Sequence, residues 1–280
     1  MINNKVVLIT GASSGIGEAT AIRLKKAGYV VYAGARRIDK MKHLAEQGIF
    51  TLNIDVTDDK SMTEAIKKII NTHNTIDILI NNAGYGSYGA LEDVPLSEGK
   101  YQFEVNVFGM ARLTQLVLPY MRKNSYGKIV NISSIGGKTH EQFGSWYHST
   151  KYAVEGLSDC LRLEVKNFGI DVIIIEPGGT KSEWTSIAAK KLIETSGKTA
   201  YGQLVEKYID FFTQGGGSDP DIIAKEIEKS LISKKPKTRY VAGLGAKPFL
   251  FLRKILSDKL YDMLWIFLVN IMSKKLQKNS

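Results

Sequence analysis

The chain has 280 residues, 44% hydrophobic and 24% charged, with a formal net charge of +10. That length supplies one large core within a single α/β domain, and no linker, repeat or low-complexity stretch interrupts it. The lone Cys160 excludes an internal disulfide, and no cluster of His, Cys and carboxylates has metal-ligand spacing, so no metal is implied. With no leader peptide, Cys160 is expected as a small core residue in a reducing, cytoplasmic setting.

In chain order, the apolar run at residues 6–9 reads as a buried parallel strand that leads straight into Thr10-Gly-Ala-Ser-Ser-Gly-Ile-Gly17. Helical character follows from Glu18 to Ala27 and stops at Gly28. Such a strand, glycine turn and helix presents bare backbone N–H groups to a pyrophosphate. The spacing of Gly11, Gly15 and Gly17 is not the common G-x-G-x-x-G, so only the mechanics of that template apply. Further strands are predicted at residues 30–33, 50–53, 78–81, 128–133 and 170–176, with helices between them. This alternation implies a doubly wound parallel sheet of about seven strands with helices on both faces.

The second strand runs into Arg36-Arg37, and the slot where an acid would accept hydrogen bonds from an adenosine ribose is Ala35. Arginine matches a 2′-phosphate, so NADP (NADPH) is favoured over NAD. Later in the chain, Tyr147-His148-Ser149-Thr150-Lys151 places a phenol and an ammonium four residues apart on one helix face, about 5–6 Å between Cβ atoms. A nearby cation is expected to draw the phenol below its usual ~10 and make it an acid/base at a carbonyl oxygen. Ser134, thirteen residues earlier, ends a strand-like run and is placed to hold that oxygen.

Thr10-Gly-x-x-x-Gly-Ile-Gly17, Asn81-Asn-Ala-Gly84, Asn106, Ser134, Tyr147-x-x-x-Lys151 and Pro177-Gly178, in this order, resemble the short-chain dehydrogenase/reductase family in its non-extended form. The likeness covers roughly residues 5–242, and implies a Rossmann-type fold. It implies Tyr147 as acid/base, Lys151 as tuner of the phenol and partner of the nicotinamide ribose, Ser134 as substrate-orienting group, and Asn106 as anchor of a relay water. It further implies a cofactor site made of Gly11, Ser13, Ser14, Gly15, Ile16, Gly17, Arg36, Arg37, Asp55, Val56, Asn82, Ala83, Gly84, Tyr147, Lys151, Pro177, Gly178 and Thr180. A homo-oligomer, dimer or tetramer, is expected with it. Tyr32-Ala-Gly-Ala-Arg-Arg37 and Ile175-Glu-Pro-Gly-Gly179 resemble hydroxysteroid and retinol dehydrogenases. A non-catalytic dinucleotide sensor on the same fold is the alternative, as fold alone does not determine activity.

The family domain is expected over 1–242, with a lid at 181–218 and a basic amphipathic extension at 243–280. Trp184, Ile187, Leu192, Tyr201, Leu204, Tyr208, Phe211 and Phe212 suit either a ligand cover or helix packing, and Gly215-Gly-Gly217 reads as a hinge. An aromatic lid favours an apolar ketone, aldehyde or alcohol. Residues 234–280 carry eleven Lys/Arg against Asp258 and Asp262, a net of +9. Interleaved with apolar runs, these imply helices that close on the cleft or a sister subunit; contact with an anionic membrane surface is the alternative. The longest run is far below the ~20 residues that span a bilayer. Nucleic acid is not an expected partner, because large apolar residues occupy the face that phosphates would need.

Overall fold

The computed structural model describes residues 4–214 and 216–277. Seven parallel strands form one sheet in the order β3-β2-β1-β4-β5-β6-β7. They are β1 Val6–Thr10, β2 Val30–Ala35, β3 Phe50–Asn53, β4 Ile78–Asn81, β5 Gly127–Ile132, β6 Ile170–Pro177 and β7 Arg239–Ala242. The helices are α1 Gly15–Lys26, α2 Lys42–Glu46, α3 Asp59–His73, α4 Leu96–Phe103, α5 Gly109–Lys123, α6 Ser145–Val165, α7 Glu183–Ser196, α8 Gly202–Gln214, α9 Pro220–Ile232, α10 Ala246–Ile255 and α11 Asp258–Gln277. The doubly wound, Rossmann-type sheet expected from the strand and helix alternation is present. Two boundaries differ in kind: α1 begins at Gly15, and β7 follows no long apolar run. With only four residues, β7 reads as a strand only because Ile174 to Pro177 pair with it.

Successive side chains of a strand point to opposite faces, so each central strand feeds two cores. Val7 and Ile9 pack with Leu24 of α1 and Ile223 and Ile227 of α9, while Val6 and Leu8 pack with Ile66, Leu113, Val117 and Leu161 on the other face. Each such burial is worth about 1.5–3 kcal/mol. Helix ends are set locally: Asp58 caps α3 through the Lys60 N–H, and Asp219 caps α9 ahead of Pro220. Arg23 then ties α1 to α9 through Asp221 and Glu228, at 2.5 and 2.9 Å. Cys160 corrects the expectation of a core thiol. It is exposed on α6, off the stripe of Val154, Ser158, Leu161 and Val165 that faces the sheet.

Because strand order reverses on either side of β1, the loops after β1 and β4 diverge and leave a crevice at the carboxyl ends of the strands. The glycine turn, residues 82–85, Tyr88 and the N-terminus of α7 all border that crevice.

Candidate active site

The turn after β1 is shaped by backbone needs. Gly11 and Gly15 have φ of +65° and +61°, and a Cβ at Gly11 would lie 2.8 Å from Ala83 Cα. At Gly17 it would lie 2.5 Å from Gly11 O. Asn82 braces this turn against β4: its Nδ2 donates to Thr10 O at 3.0 Å and Gly11 O at 3.1 Å, while Thr10 Oγ1 accepts from the N–H groups of Asn82 and Ala83. Ser14 makes no side-chain cap for α1, so the helix N-terminus keeps free donors facing the crevice. The cradle fits a dinucleotide pyrophosphate.

Arg36 and Arg37 flank one end. Arg36 donates to Tyr101 OH at 3.0 Å, whereas Arg37 reaches Ser13 and Ser14 Oγ at 3.2 Å and pairs with Glu183 at 2.9 Å. Glu183 also pairs with Lys40 at 2.6 Å, so the first turn of α7 is clasped to the chain beyond β2. Asp55 turns its Oδ1 to the N–H and hydroxyl of Thr57, and Val56 is buried beside it. Gly11, Ser13, Ser14, Gly15, Ile16, Arg36, Arg37, Asp55, Val56, Asn82, Ala83, Gly84, Pro177, Gly178 and Thr180 all line one cavity of about 590 Å³. Gly17 stands behind the turn rather than in the wall.

The same cavity contains Ser134, Tyr147 and Lys151. Ser134 follows β5 and Tyr147 and Lys151 lie on consecutive turns of α6, all buried or half-buried. Burial pushes the Tyr147 phenol up to about 12, against the lowering effect of a hydrogen bond to Ser134. The lowering expected from Lys151 is therefore not what governs this phenol. Lys151 Nζ donates to Ile132 O at 2.9 Å and sits 5.9 Å from the Tyr147 ring centre, and burial depresses its own value to about 8. Asn106 lies behind, in a π-turn between α4 and α5. Its side chain bonds both backbone groups of Tyr85, at 2.9 and 3.0 Å, and Thr150 Oγ1 at 3.0 Å. Asn106 thus holds the chain after Gly84 against α6.

The segment expected as a lid contains two kinds of residue. Leu192 and Tyr208 are fully buried packing groups, whereas Trp184, Ile187 and Phe212 line the cavity, with the Trp184 ring 5.0 Å from that of Tyr147. Tyr201 packs edge-on to Phe143, and Leu204 is exposed. The Phe211 side chain and Gly215 of the expected hinge fall outside the described residues. From the extension, Tyr261 and Trp265 of α11 stack on one another and also line the cavity. Sequence reasoning missed Tyr88, Glu141 and Glu183. They come from three separate segments and carry no local motif, so only the fold brings them to the cleft.

This fold and cleft define a dinucleotide-binding oxidoreductase class. Residues 5–192 match the family model for short chain dehydrogenases, and the chain belongs to that family. It is 37% identical to a probable short-chain type dehydrogenase/reductase, VdlC, of Helicobacter pylori over 268 residues, 94% of this chain and 97% of the relative. It is 36% identical to a 3-ketodihydrosphingosine reductase of Bacteroides thetaiotaomicron, covering 85% and 88%, and 31% identical to an NADPH-dependent 3-dehydrocapnine reductase of Ornithobacterium rhinotracheale, covering 93% and 96%. A solved short-chain dehydrogenase from Streptomyces avermitilis superposes with a TM-score of 0.79 at 32% identity over 99% of both chains. Among the described residues no helix is long and apolar enough to cross a membrane, and no group of His, Cys, Asp and Glu is placed to hold a metal.

Proposed function

We propose that this enzyme interconverts an apolar ketone or aldehyde with its alcohol, using NADP(H). The observation that carries the proposal is the opening of Ser134, Tyr147 and Lys151 into the cavity that continues to the glycine cradle. Bound NADPH supplies the hydride to the carbonyl carbon. Ser134 and Tyr147 then hold the carbonyl oxygen from one side, and the Tyr147 hydroxyl gives up its proton to that oxygen as charge develops there. A phenol held up at about 12 is protonated at neutral pH and ready to donate. Lys151, cationic below about 8, offsets the phenolate left behind. In the oxidation direction the same groups work in reverse. Arg36, Arg37, Ser13 and Ser14 supply donors for a 2′-phosphate, in keeping with the NADPH dependence named for the Ornithobacterium relative. The aromatic walls suit apolar carbonyls, as does the relative named for 3-ketodihydrosphingosine.

The test is NADPH oxidation against a panel of apolar ketones and aldehydes, run on the wild type and on Tyr147→Phe. Removing only the proton route should cut kcat by about a hundredfold or more while the NADPH dissociation constant changes little. Wild-type kcat in Tyr147→Phe would sink the assignment.

A further inference from the structure

Helices α10 and α11 are apolar on two sides. Inward, the Phe249 ring of α10 meets that of Trp265 on α11 at 5.5 Å, and Tyr261 and Val269 are buried. Outward, Phe251 and Ile255 of α10 and Leu260, Met263, Ile266 and Phe267 of α11 are between 49% and 62% exposed. Leu260, Met263 and Phe267, at i, i+3 and i+7, form one stripe along α11. A helix that only covers a core turns polar residues to water. Helix α3 of this molecule does so: Lys60, Glu64, Lys67 and Lys68 stand outside, over an inner row of Met62, Ile66 and Ile69. The outer faces of α10 and α11 thus present to solvent the kind of surface that α3 hides, and an apolar patch of this size marks a contact.

Charge decides what covers it. Lys247 and Lys254 stand one turn on either side of Phe251, and Lys259 lies one turn before Met263. All three lysines are exposed and make no ion pair among the described residues. Residues 243–280 contain no glutamate and two aspartates, and both aspartates are engaged within the chain: Asp258 with Arg253 and Asp262 with His140, each at 2.7 Å. A second copy docked about a two-fold axis would set this patch against itself, with lysines facing lysines across an apolar contact, which is unfavourable. A surface that is apolar beneath and anionic at its boundary suits both halves of the pattern.

We propose that the outer faces of α10 and α11 dock on an anionic membrane surface, their apolar side chains entering the boundary between headgroups and acyl chains while Lys247, Lys254 and Lys259 meet lipid phosphates. No helix among the described residues is long and apolar enough to cross a membrane, so the pair lies in the plane of the interface. The inner side of α11 walls the cavity through Tyr261 and Trp265, so docking keeps that cavity beside the lipid, one helix away. The contact is a property of the surface and stands apart from the reductase function proposed above.

The test is sedimentation of the full chain with sucrose-loaded phosphatidylcholine vesicles, made with and without phosphatidylglycerol. Binding should be about tenfold or more tighter when phosphatidylglycerol is present, and added salt should release it. Two sets of substitutions at exposed positions separate the contributions: Phe251→Ser with Phe267→Ser, and Lys247→Glu with Lys254→Glu and Lys259→Glu. Each set should weaken binding to the mixed vesicles by about tenfold or more, with the circular dichroism spectrum and thermal melt of the wild type retained. The lysine set leaves the apolar surface whole, so it decides the matter even where the phenylalanine set fails to fold. No binding to the mixed vesicles, equal binding to both compositions, or binding unchanged in the lysine set would overturn the lipid contact. A lipid-free oligomer that comes apart in the phenylalanine set would assign the face to a second copy and refute the proposal.

Discussion

At the scale of single residues, the buried Lys151 costs stability, as suits a group kept for the proposed chemistry. Its proton leaves at about 8 in the folded protein against 10.5 for the free side chain, with desolvation as the main cause and Glu155 opposing it. The folded state thus binds this proton less well than the unfolded one. The resulting destabilisation is fully present below about 8, shrinks as pH rises through the interval, and is gone above about 10.5. Lys151→Met should therefore raise Tm at neutral pH, by an amount on the order of a few degrees that fades toward pH ~10, while abolishing turnover. Thermal melts of both proteins across that range check the sign; a gain that grew with pH would contradict it. Tyr147, held up to about 12 by burial, adds a like cost only above pH ~10, where the unfolded phenol ionises. In the proposed reaction its neutral phenol is ready to donate in the reduction direction.

At the scale of elements, the clasp between α7 and the chain beyond β2 bears on the proposed NADP(H) site. Glu183 pairs at once with Lys40 and with Arg37, which also reaches Ser13 and Ser14 of the glycine turn, and Lys40 and Arg37 hold its carboxyl below the usual range. In the proposed site, a 2′-phosphate would share Arg37 with a carboxylate. Both partners are close to half exposed, so the competition is screened by salt. Glu183→Gln should tighten NADPH relative to NADH by a few-fold at low ionic strength, with the difference shrinking in salt. In the opposite direction, Ala35→Asp with Arg36→Ile should turn the preference toward NADH about tenfold or more. Dissociation constants for the two cofactors measure both effects, and equal wild-type constants would remove the basis for either.

Across the whole molecule, the extension is part of the enzyme's interior as well as its surface. Tyr261 and Val269 are buried, and Tyr261 and Trp265 contribute walls to the cavity that holds Tyr147, so α11 closes it from one side. The outer face of the same helices shows Phe251, Ile255, Leu260, Met263 and Phe267, each more than half exposed, beside Arg253, Lys254 and Lys259. Truncation after Ala242 should strip the buried contacts, lower stability, and raise KM for bulky ketones by about tenfold, while small carbonyls suffer less. Unchanged kinetics after truncation would place the helices outside the catalytic unit. For the outer face, salt-reversible sedimentation with anionic vesicles reports a lipid contact, and a change of oligomer on truncation reports a contact between copies.

The sequence by itself determined the sheet, the glycine turn and the place of Ser134, Tyr147 and Lys151, because each is a local matter. Apolar runs of strand length, a turn that tolerates no Cβ, and a four-residue helical repeat are all written in neighbouring positions. It also marked 181–218 as apolar and aromatic, without separating Trp184, which lines the cavity, from Leu192, which packs: both are apolar, and helical periodicity states that a face is covered but not by what. Only the tertiary structure decided the rest. The short strand β7 exists through its pairing with β6, and the phenol of Tyr147 is set by how deeply it is buried rather than by its lysine neighbour. The meeting of Tyr88, Glu141, His148 and Trp265 in one cavity likewise depends on loops and helices far apart in the chain. Burial and long-range contact are sums over the whole fold, so no window of sequence contains them.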